Sequence, residues 1–261
     1  MKPEERRAKM AALVNEATKI SVDELAMLLD TSRETVRRDL TLLSEQGLLR
    51  KIHGGAVSAQ TALESPMGDR RSTARAEKLA IGRAASQLFK QGDSLLVDTG
   101  STTACFAEAL KSAGNFTVIT NSVMVAHELW SEPGNSEVYL LGGRYHGDGH
   151  EILGPMVIEQ IGRLHADHAV LTIGAIDPSG VFMDFNADEA FVARAMIASA
   201  RQVTVLADGS KLGRHALFEV CRAEKVTRLV TDRAPTGAVG TALHAANVEI
   251  VVAGQEFPTK R

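Results

Sequence analysis

The chain has 261 residues, of which 44% are hydrophobic and 23% are charged, and its formal net charge is −3. This composition is typical of folded proteins, and the length suits a small domain joined to a larger one. The net charge neither favours nor excludes a nucleic-acid partner, so any basic surface has to be local. No apolar stretch of about 18 residues is present that would span a membrane, and the N-terminus lacks the apolar run of a signal peptide. The two cysteines, Cys105 and Cys221, form no metal or disulfide pattern, so we expect reduced thiols in a cytoplasmic protein.

The first 57 residues have the pattern of three helices followed by a short hairpin. Residues 21–24 read S-V-D-E, a capping box in which serine and glutamate satisfy free backbone N–H groups at a helix start. Ser32 is placed to cap the third helix after a tight turn. The apolar residues of that helix recur on one face: Val36, Leu40 and Leu43. Two short apolar runs flank His-Gly-Gly at 53–55, which predicts the hairpin.

Arginines near the start of the third helix point to DNA recognition. In a helix-turn-helix the second helix of the motif enters the major groove, and its first residues reach the bases. Arginine pairs bidentately with guanine and also holds phosphates. We therefore predict DNA contacts from this helix and the hairpin by Ser32, Arg33, Thr35, Arg37, Arg38, Arg50, Lys51 and His53. The pattern alone also permits a protein-binding three-helix domain with solvated arginines, and His53 is equally well explained as an ordinary turn residue.

After the hairpin the pattern changes twice. Residues 58–74 have no periodicity and carry Ser, Thr, Pro, Gly and clustered charges, so we predict a linker there. From residue 75 onward short apolar runs alternate with helical stretches, which predicts a mainly parallel sheet covered on both faces. The predicted strands are 94–98, 116–120, 137–141, 169–173, 203–207, 229–231 and 248–252, and the predicted helices are 103–113, 123–130, 188–200 and 238–246. The predicted architecture is α/β: a winged helix-turn-helix in 1–57, the linker, and a larger domain in 75–261.

Polar loops follow several of these strands, where open α/β sheets bind ligands. Residues 98–103 (DTGSTT) join the first strand to a helix whose free N–H groups and dipole suit a phosphate. Lys211 and Arg144 supply cations for an oxyanion, and acids such as Asp208 suit sugar hydroxyls. The predicted ligand-binding residues are Asp98, Gly100, Ser101, Thr102, Thr103, Thr120, Asn121, Ser122, Gly142, Gly143, Arg144, Gly174, Asp184, Glu189, Asp208 and Lys211. Each loop alone is explained as an ordinary cap or turn, so the prediction depends on their convergence.

Four histidines raise the question of a metal site. They lie at 146, 150, 165 and 168, a spacing that matches no common set of metal ligands. We therefore expect neither a metal nor a cofactor.

The whole chain resembles one family of bacterial regulators. Residues 21–57 are similar to the signature of the DeoR family of repressors, with Thr31 as a departure where the family usually has valine. The second half resembles the effector domain of that family, which is similar in fold to ribose-5-phosphate isomerase. The matching segments are 98–103, 120–122, 142–143, 174–177 and 207–211, and 180–189 is most similar to members that respond to glycerol-3-phosphate or sulfosugar catabolites. The resemblance implies a repressor of a carbohydrate or polyol catabolic operon, with operator DNA and a phosphorylated sugar or polyol as its partners.

The same resemblance raises an enzyme as the alternative, namely a sugar-phosphate isomerase with a DNA-binding arm. An isomerase needs a general base and groups that stabilise an enediolate. The isomerases carry a lysine in a glycine-rich loop in the stretch corresponding to 181–185, where this chain reads V-F-M-D-F. Asp177, Asp184 and Glu189 are the remaining possible bases. The G-x-S-x-G and P-loop patterns are absent, so we expect a non-enzyme. We also expect a homodimer or homotetramer, because a single reading head contacts few base pairs.

Overall fold

The computed structural model describes residues 3–17, 19–46, 48–52, 54–58, 66–130 and 136–254. The chain divides between Pro66 and Met67 into two compact units. Among these residues, no helix is long and apolar enough to cross a membrane. His53, a predicted DNA contact, lies outside the described residues.

The first unit is built from three helices and a three-stranded sheet. The elements are α1 (Pro3–Ala17), β1 (Lys19–Ser21), α2 (Val22–Leu28), α3 (Arg33–Glu45), β2 (Leu49–Ile52) and β3 (Gly55–Ser58). The strands are antiparallel in the order β1-β3-β2, so the predicted hairpin gains a third strand that the sequence pattern did not predict. Gly55 makes this pairing possible, because a Cβ there would lie 2.3 Å from the carbonyl oxygen of Ile20.

The predicted caps of the first unit are present. The Ser21 hydroxyl accepts the Glu24 N–H at 3.1 Å, and the Glu24 carboxylate accepts the Ser21 N–H at 2.9 Å, which completes the capping box. The Ser32 hydroxyl accepts the Thr35 N–H at 3.1 Å at the start of α3. The core behind these helices contains Met10, Val14, Leu25, Leu29, Val36, Leu40, Leu43 and Leu49. Burial of this stripe leaves the opposite, charged face of α3 exposed.

The second unit contains a seven-stranded sheet with helices on both faces. Its helices are α4 (Met67–Ser72), α5 (Arg75–Ser86), α6 (Ser101–Leu110), α7 (Val123–Trp130), α8 (Pro155–Ile161), α9 (Ala187–Ala198) and α10 (Gly237–Ala245). Its strands are β4 (Ser94–Val97), β5 (Thr117–Thr120), β6 (Glu137–Leu140), β7 (Arg144–His146), β8 (Glu151–Leu153), β9 (Ala166–Leu171), β10 (Ala175–Ile176), β11 (Val181–Asp184), β12 (Ala200–Leu206), β13 (Phe218–Arg222), β14 (Arg228–Thr231) and β15 (Glu249–Val252).

The main sheet has the order β15-β14-β12-β9-β4-β5-β6, and every neighbouring pair is parallel. Leu95 and Leu96 of β4 are both fully buried, and they belong to two different hydrophobic clusters. Because successive side chains of a strand point to opposite faces, the sheet is covered on both sides, as predicted.

Several elements differ from the sequence prediction. The helix α4 falls inside the stretch 58–74 that was predicted as a linker, and its Met67 is buried in the second unit. The hairpin of β7 and β8, the helices α5 and α8, and a small antiparallel sheet (β10-β11-β13) were not predicted. Both β9 and β12 begin three residues before their apolar runs, where Ala166 pairs with Ala200 and His168 with Gln202 at the amino-terminal edge of the sheet.

The strand order contains one reversal. The chain runs from β4 outward to β5 and β6, then crosses to β9 on the other side of β4 and continues outward to β12, β14 and β15. The loops after β4 and β9 therefore leave the sheet in opposite directions. In open α/β sheets the crevice beyond the carboxyl ends of two such strands is the usual place for a ligand.

Candidate functional site

The exposed face of α3 carries three arginines that differ in their partners. The Arg33 Nε lies 2.7 Å from the Asp23 carboxylate, and the Arg38 Nε lies 3.5 Å from the Glu34 carboxylate. Arg37 is exposed and has no ion-pair partner among the described residues. The guanidinium of Arg37 is therefore the one of the three that requires no exchange of partners before it contacts a base or a phosphate.

The hairpin of β2 and β3, which we call the wing, is joined to α3 by a chain of hydrogen bonds. The Lys51 Nζ donates to the Thr41 hydroxyl at 3.0 Å, and that hydroxyl donates to the Arg37 carbonyl at 2.9 Å. Arg50 lies on the same strand as Lys51. The structure thus brings the wing beside α3. The Ser32 and Thr35 hydroxyls share a 2.9 Å hydrogen bond at the start of this helix.

A buried carboxylate fastens α3 to the first helix. Asp39 is 5% exposed, and its carboxylate lies 2.7 Å from the Arg6 Nε and 3.4 Å from the Arg7 Nε. Charged groups are costly to bury unless they are paired, so these two arginines explain why Asp39 is tolerated on the apolar side of α3. This pairing leaves no local signal in the sequence, because more than thirty residues separate the partners.

The turn after β4 has a conformation that only glycine takes easily. Gly100 has φ 147° and ψ 164°, and a Cβ on it would lie 2.4 Å from the Thr172 Oγ1. The Thr172 hydroxyl donates to the Thr99 carbonyl at 2.9 Å, and the Asp98 N–H donates to the Val170 carbonyl at 2.9 Å. The loops after β4 and β9 therefore meet at the reversal of strand order.

The first turn of α6 follows directly and consists of buried hydroxyl residues. Ser101, Thr102 and Thr103 are each 8% exposed or less. The Thr103 hydroxyl is directed to its own backbone and donates to the Gly100 carbonyl at 3.1 Å. The first N–H groups of a helix have no partner inside the helix, so this turn presents donors and a positive dipole end at the strand reversal.

The loop after β5 places a second set of buried polar groups beside the first. The Thr120 hydroxyl donates to the Val97 carbonyl at 2.6 Å and accepts the Ser122 N–H at 3.0 Å. The Asn121 Nδ2 donates to the Ile152 carbonyl at 3.3 Å, whereas its Oδ1 is buried and has no hydrogen-bond partner among the described residues. An unsatisfied buried carbonyl costs about 1–3 kcal/mol, and a ligand hydroxyl would remove that cost.

The hairpin of β7 and β8 lies over these two loops. The Thr99 hydroxyl donates to the Gly149 carbonyl at 3.4 Å, and the Val123 N–H donates to the His150 carbonyl at 2.9 Å. Glu151, at the start of β8, is 4% exposed. Gly149 and Glu151 therefore belong to the site, although the sequence analysis did not select them, since the hairpin itself was not predicted.

A buried lysine adds to the same edge of the sheet. Lys78 of α5 is 5% exposed, and its Nζ donates to the carbonyls of Arg70 at 2.6 Å and Thr73 at 2.8 Å. Burial lowers the pKa of Lys78, the nearby Asp208 carboxylate opposes that shift, and the Lys211 cation adds to it. Lys78, Asp208 and Lys211 are thus neighbours. Lys78 was not among the predicted ligand residues, because the helix α5 was not predicted.

The other predicted ligand residues lie further from the strand reversal. Both backbone groups of Gly142 are bonded to the Gln160 side chain, at 3.1 and 2.7 Å, in the turn that continues through Gly143. Arg144 is exposed and lies 3.8 Å from the Asp188 carboxylate. These residues follow β6, the outermost strand on that side of the sheet.

The small sheet places two further predicted residues against Phe185. A Cβ on Gly174 would lie 2.7 Å from the Phe185 ring, so glycine permits close packing there. The buried Asp184 accepts the Phe185 N–H at 2.6 Å. Glu189 is half-buried in the first turn of α9. Within the ranges that the structure describes, no group of His, Cys, Asp and Glu is arranged to hold a metal ion.

A helix-turn-helix with an arginine face, joined to an α/β unit with a buried polar edge, defines a DNA-binding regulator with a sensor domain. Comparison with known families agrees: residues 6–62 match the DeoR-like helix-turn-helix domain, and residues 73–233 match the DeoR C terminal sensor domain. The chain belongs to the DeoR family, and it is a transcriptional repressor with a metabolite-sensing domain.

Its relatives match over almost their full length. It is 35% identical to the HTH-type transcriptional repressor CsqR of Escherichia coli, over 95% of this chain and 94% of that one. It is 34% identical to the repressor GlcR of Bacillus subtilis, over 98% of both chains. It is 31% identical to the glycerol-3-phosphate regulon repressor of Escherichia coli, over 90% of this chain and 93% of that one. Among solved structures, ribose 5-phosphate isomerase A of Methanocaldococcus jannaschii aligns with a TM-score of 0.40 at 17% identity, over 54% of this chain and 55% of that one.

Proposed function

We propose that α3 reads operator DNA and that the carboxyl edge of the sensor sheet binds a phosphorylated sugar or polyol that changes the DNA affinity. The regulated genes are then those of a carbohydrate or polyol catabolic operon. The names of two relatives, both glycerol-3-phosphate regulon repressors, support this class of effector. We place the protein in the cytoplasm.

The observation that carries the effector proposal is the concentration of buried polar groups at the strand reversal. Burying a polar side chain is unfavourable unless it is hydrogen-bonded, so a cluster of such groups at one edge requires partners there. The retained polar groups are Lys78, Asp98, Ser101, Thr102, Thr103, Thr120, Asn121, Ser122, Glu151 and Asp208.

These groups divide by chemistry into two parts. The N-terminus of α6 with Lys78 and Lys211 suits a phosphate, because N–H donors and cations bind oxyanions. The Asp208 carboxylate and the Asn121 Oδ1 are acceptors that suit hydroxyl groups. A phosphate joined to a short hydroxylated chain therefore matches both parts of the edge.

The effector acts by population shift in this proposal. It binds one state of the repressor more tightly than another, and that difference in affinity sets how far the DNA equilibrium moves. We propose release of DNA as the direction. A homodimer or homotetramer supplies two reading heads for two half-sites on the operator.

We further propose that the sensor unit has no catalytic role. The stretch corresponding to the lysine-bearing loop of the isomerases is the strand β11, which pairs on both sides with β10 and β13. The carboxylate of Asp184 in that strand accepts the N–H groups of Phe185 and Asn186, at 2.6 and 3.3 Å. A carboxylate that is hydrogen-bonded to its own turn is a poor general base, because protonation would give up those bonds.

The test is fluorescence anisotropy of the full chain on DNA from upstream of its own gene. The titrated compounds are glycerol-3-phosphate, hexose phosphates, pentose phosphates and sulfosugar metabolites. We expect one of them to weaken DNA binding several-fold and to be recovered unchanged. Recovery of an isomer instead would favour the enzyme alternative.

Variants of the two lysines identify the pocket. Lys78→Met and Lys211→Ala should bind DNA as the wild type does, and each should need at least about tenfold more effector for release. Lys225→Ala, an exposed lysine of a separate turn, is the matched control. A normal effector response in both Lys78→Met and Lys211→Ala would show that the phosphate of the effector does not bind at this edge of the sheet.

A further inference from the structure

A groove runs along the outer face of α6. The polar carboxyl edge of the sheet, where we place the effector, is called the effector edge below. It has a volume of about 250 Å³ and lies between α6, the start of α5 with the end of α4, and α7. The residues of α6 that line it are Ser101, Ala104, Cys105 and Glu108, which recur at the spacing of one helical face. The groove belongs entirely to the second unit.

Two arginines line this groove without a partner of their own. Arg71 of α4 and Arg75 of α5 are exposed, and neither has a hydrogen-bond or ion-pair partner among the described residues. Both lie close to Cys105: burial raises the pKa of that thiol, and the two guanidinium groups oppose the shift. Two unpaired cations directed to one cavity repel each other, so an anion between them is favourable.

The groove also contains two carboxylates, those of Glu108 and Glu128. Glu128 of α7 has its carboxylate 2.6 Å from the Lys111 Nζ. The Glu108 carboxylate forms no ion pair with Arg71 or Arg75 among the described residues. His127 supplies a further donor on the α7 side. Neither arginine of the groove is therefore ion-paired with a carboxylate of the groove among the described residues.

The groove shares Ser101 with the buried polar groups of the effector edge, and its other lining residues do not belong to that edge. Phe106 and Leu110 of α6 pack against the sheet, whereas the groove residues lie on the opposite side of the helix. None of Lys78, Asp208 and Lys211 lines the groove.

We propose that this groove is a second anion site, in which Arg71 and Arg75 bind the phosphate group of a small metabolite. Guanidinium groups bind phosphate oxygens in pairs, and the two arginines supply the charge that such a group requires. The site gives the repressor a second input that does not depend on the effector proposal.

The test is isothermal titration calorimetry of the full chain with inorganic phosphate. We expect the double variant Arg71→Ala/Arg75→Ala to lose at least tenfold in affinity at this site, about 1.4 kcal/mol or more. Arg83→Ala is the matched control, since it removes an exposed arginine two turns further along α5 that does not line the groove. Arg71→Lys/Arg75→Lys should bind with intermediate affinity, because lysine retains the charge without the planar fork.

The variant Lys211→Ala separates this site from the effector edge. We expect it to retain phosphate binding in the groove. If Lys211→Ala abolishes phosphate binding and the double arginine variant does not, the groove proposal is wrong and the effector proposal stands. If only the double arginine variant loses phosphate, the groove proposal stands and the effector edge loses its phosphate role.

A further experiment distinguishes a metabolite from DNA as the source of the phosphate. Operator affinity is measured without phosphate for the wild type and the double arginine variant, and we expect no difference. Weaker DNA binding together with unchanged phosphate affinity would assign the arginines to the DNA backbone and overturn the proposal. Thermal unfolding shows whether the double variant is folded. If it is unfolded, the single variants Arg71→Gln and Arg75→Gln are used in its place.

Discussion

The three arginines of α3 make the DNA proposal quantitative, because the structure predicts unequal effects for them. Arg37 has no partner to give up, so Arg37→Ala removes a complete DNA contact. A good arginine–base contact contributes about 1–3 kcal/mol, which corresponds to roughly a 5- to 150-fold loss of operator affinity. If Arg37 contacts a phosphate and not a base, the slope of log affinity against log salt concentration should be smaller by about 1 in Arg37→Ala.

Arg33 should contribute less to operator affinity. Its Nε lies 2.7 Å from the Asp23 carboxylate, and both side chains are 66% exposed. Such an exposed ion pair contributes at most about 1 kcal/mol, and binding DNA has to break or share it. The Arg33→Ala variant should therefore lose less affinity than Arg37→Ala. Asp23→Ala removes a negative charge beside the DNA and releases Arg33, so it should tighten binding a few-fold at low salt.

The assay is fluorescence anisotropy on the operator at several salt concentrations. Arg163→Ala is the matched control, because Arg163 is an exposed arginine of the second unit that pairs with Glu159 at 2.7 Å. Wild-type affinity and salt slope for Arg37→Ala would refute the placement of α3 on DNA. Equal weakening by Asp23→Ala and Arg37→Ala would refute the argument from ion-pair partners.

Three further predictions concern stability, each measured by denaturant or thermal unfolding. Gly100→Ala should destabilise the second unit by at least about 2 kcal/mol, from the φ of 147° and the 2.4 Å contact with Thr172. Adding Thr172→Ala should recover part of the loss, and no recovery would argue against the contact. Asp39→Ala should destabilise the first unit by about 2 kcal/mol, because Arg6 keeps a half-buried charge without its carboxylate; an unchanged midpoint would contradict this. Burial lowers the pKa of His168 below its usual value of 6.5, against the opposing charge of Asp93, so the folded state favours the neutral ring. Stability should then fall as the pH decreases below about 6.5, and His168→Asn should reduce that dependence; an equally steep dependence in the variant would exclude His168 as its source.

Local patterns in the sequence predicted the elements whose signals lie within a few residues. The cap at Ser32, the apolar stripe of α3 and the capping box at 21–24 depend only on spacing along one helix, and all three are present. The strands of the parallel sheet were predicted for the same reason, since a strand buried on both faces is a continuous apolar run. The helix α5 was missed because its buried face includes Gly82 and Ser86, which weaken an apolar pattern.

The contacts that define the sites depend on residues far apart in the chain. The pairing of Asp39 with Arg6, the approach of Lys78 to Asp208, and the meeting of Gly100 with Thr172 leave no local signal. Strand order is of the same kind: after β6 the next strand of the sheet could extend it beyond β6 or return to the free side of β4, and no local pattern selects between them. The sequence by itself therefore determined which loops are polar and which helix carries the arginines. The tertiary structure alone decided which of these groups are neighbours, because proximity in a parallel sheet is set by long-range pairing and not by order along the chain.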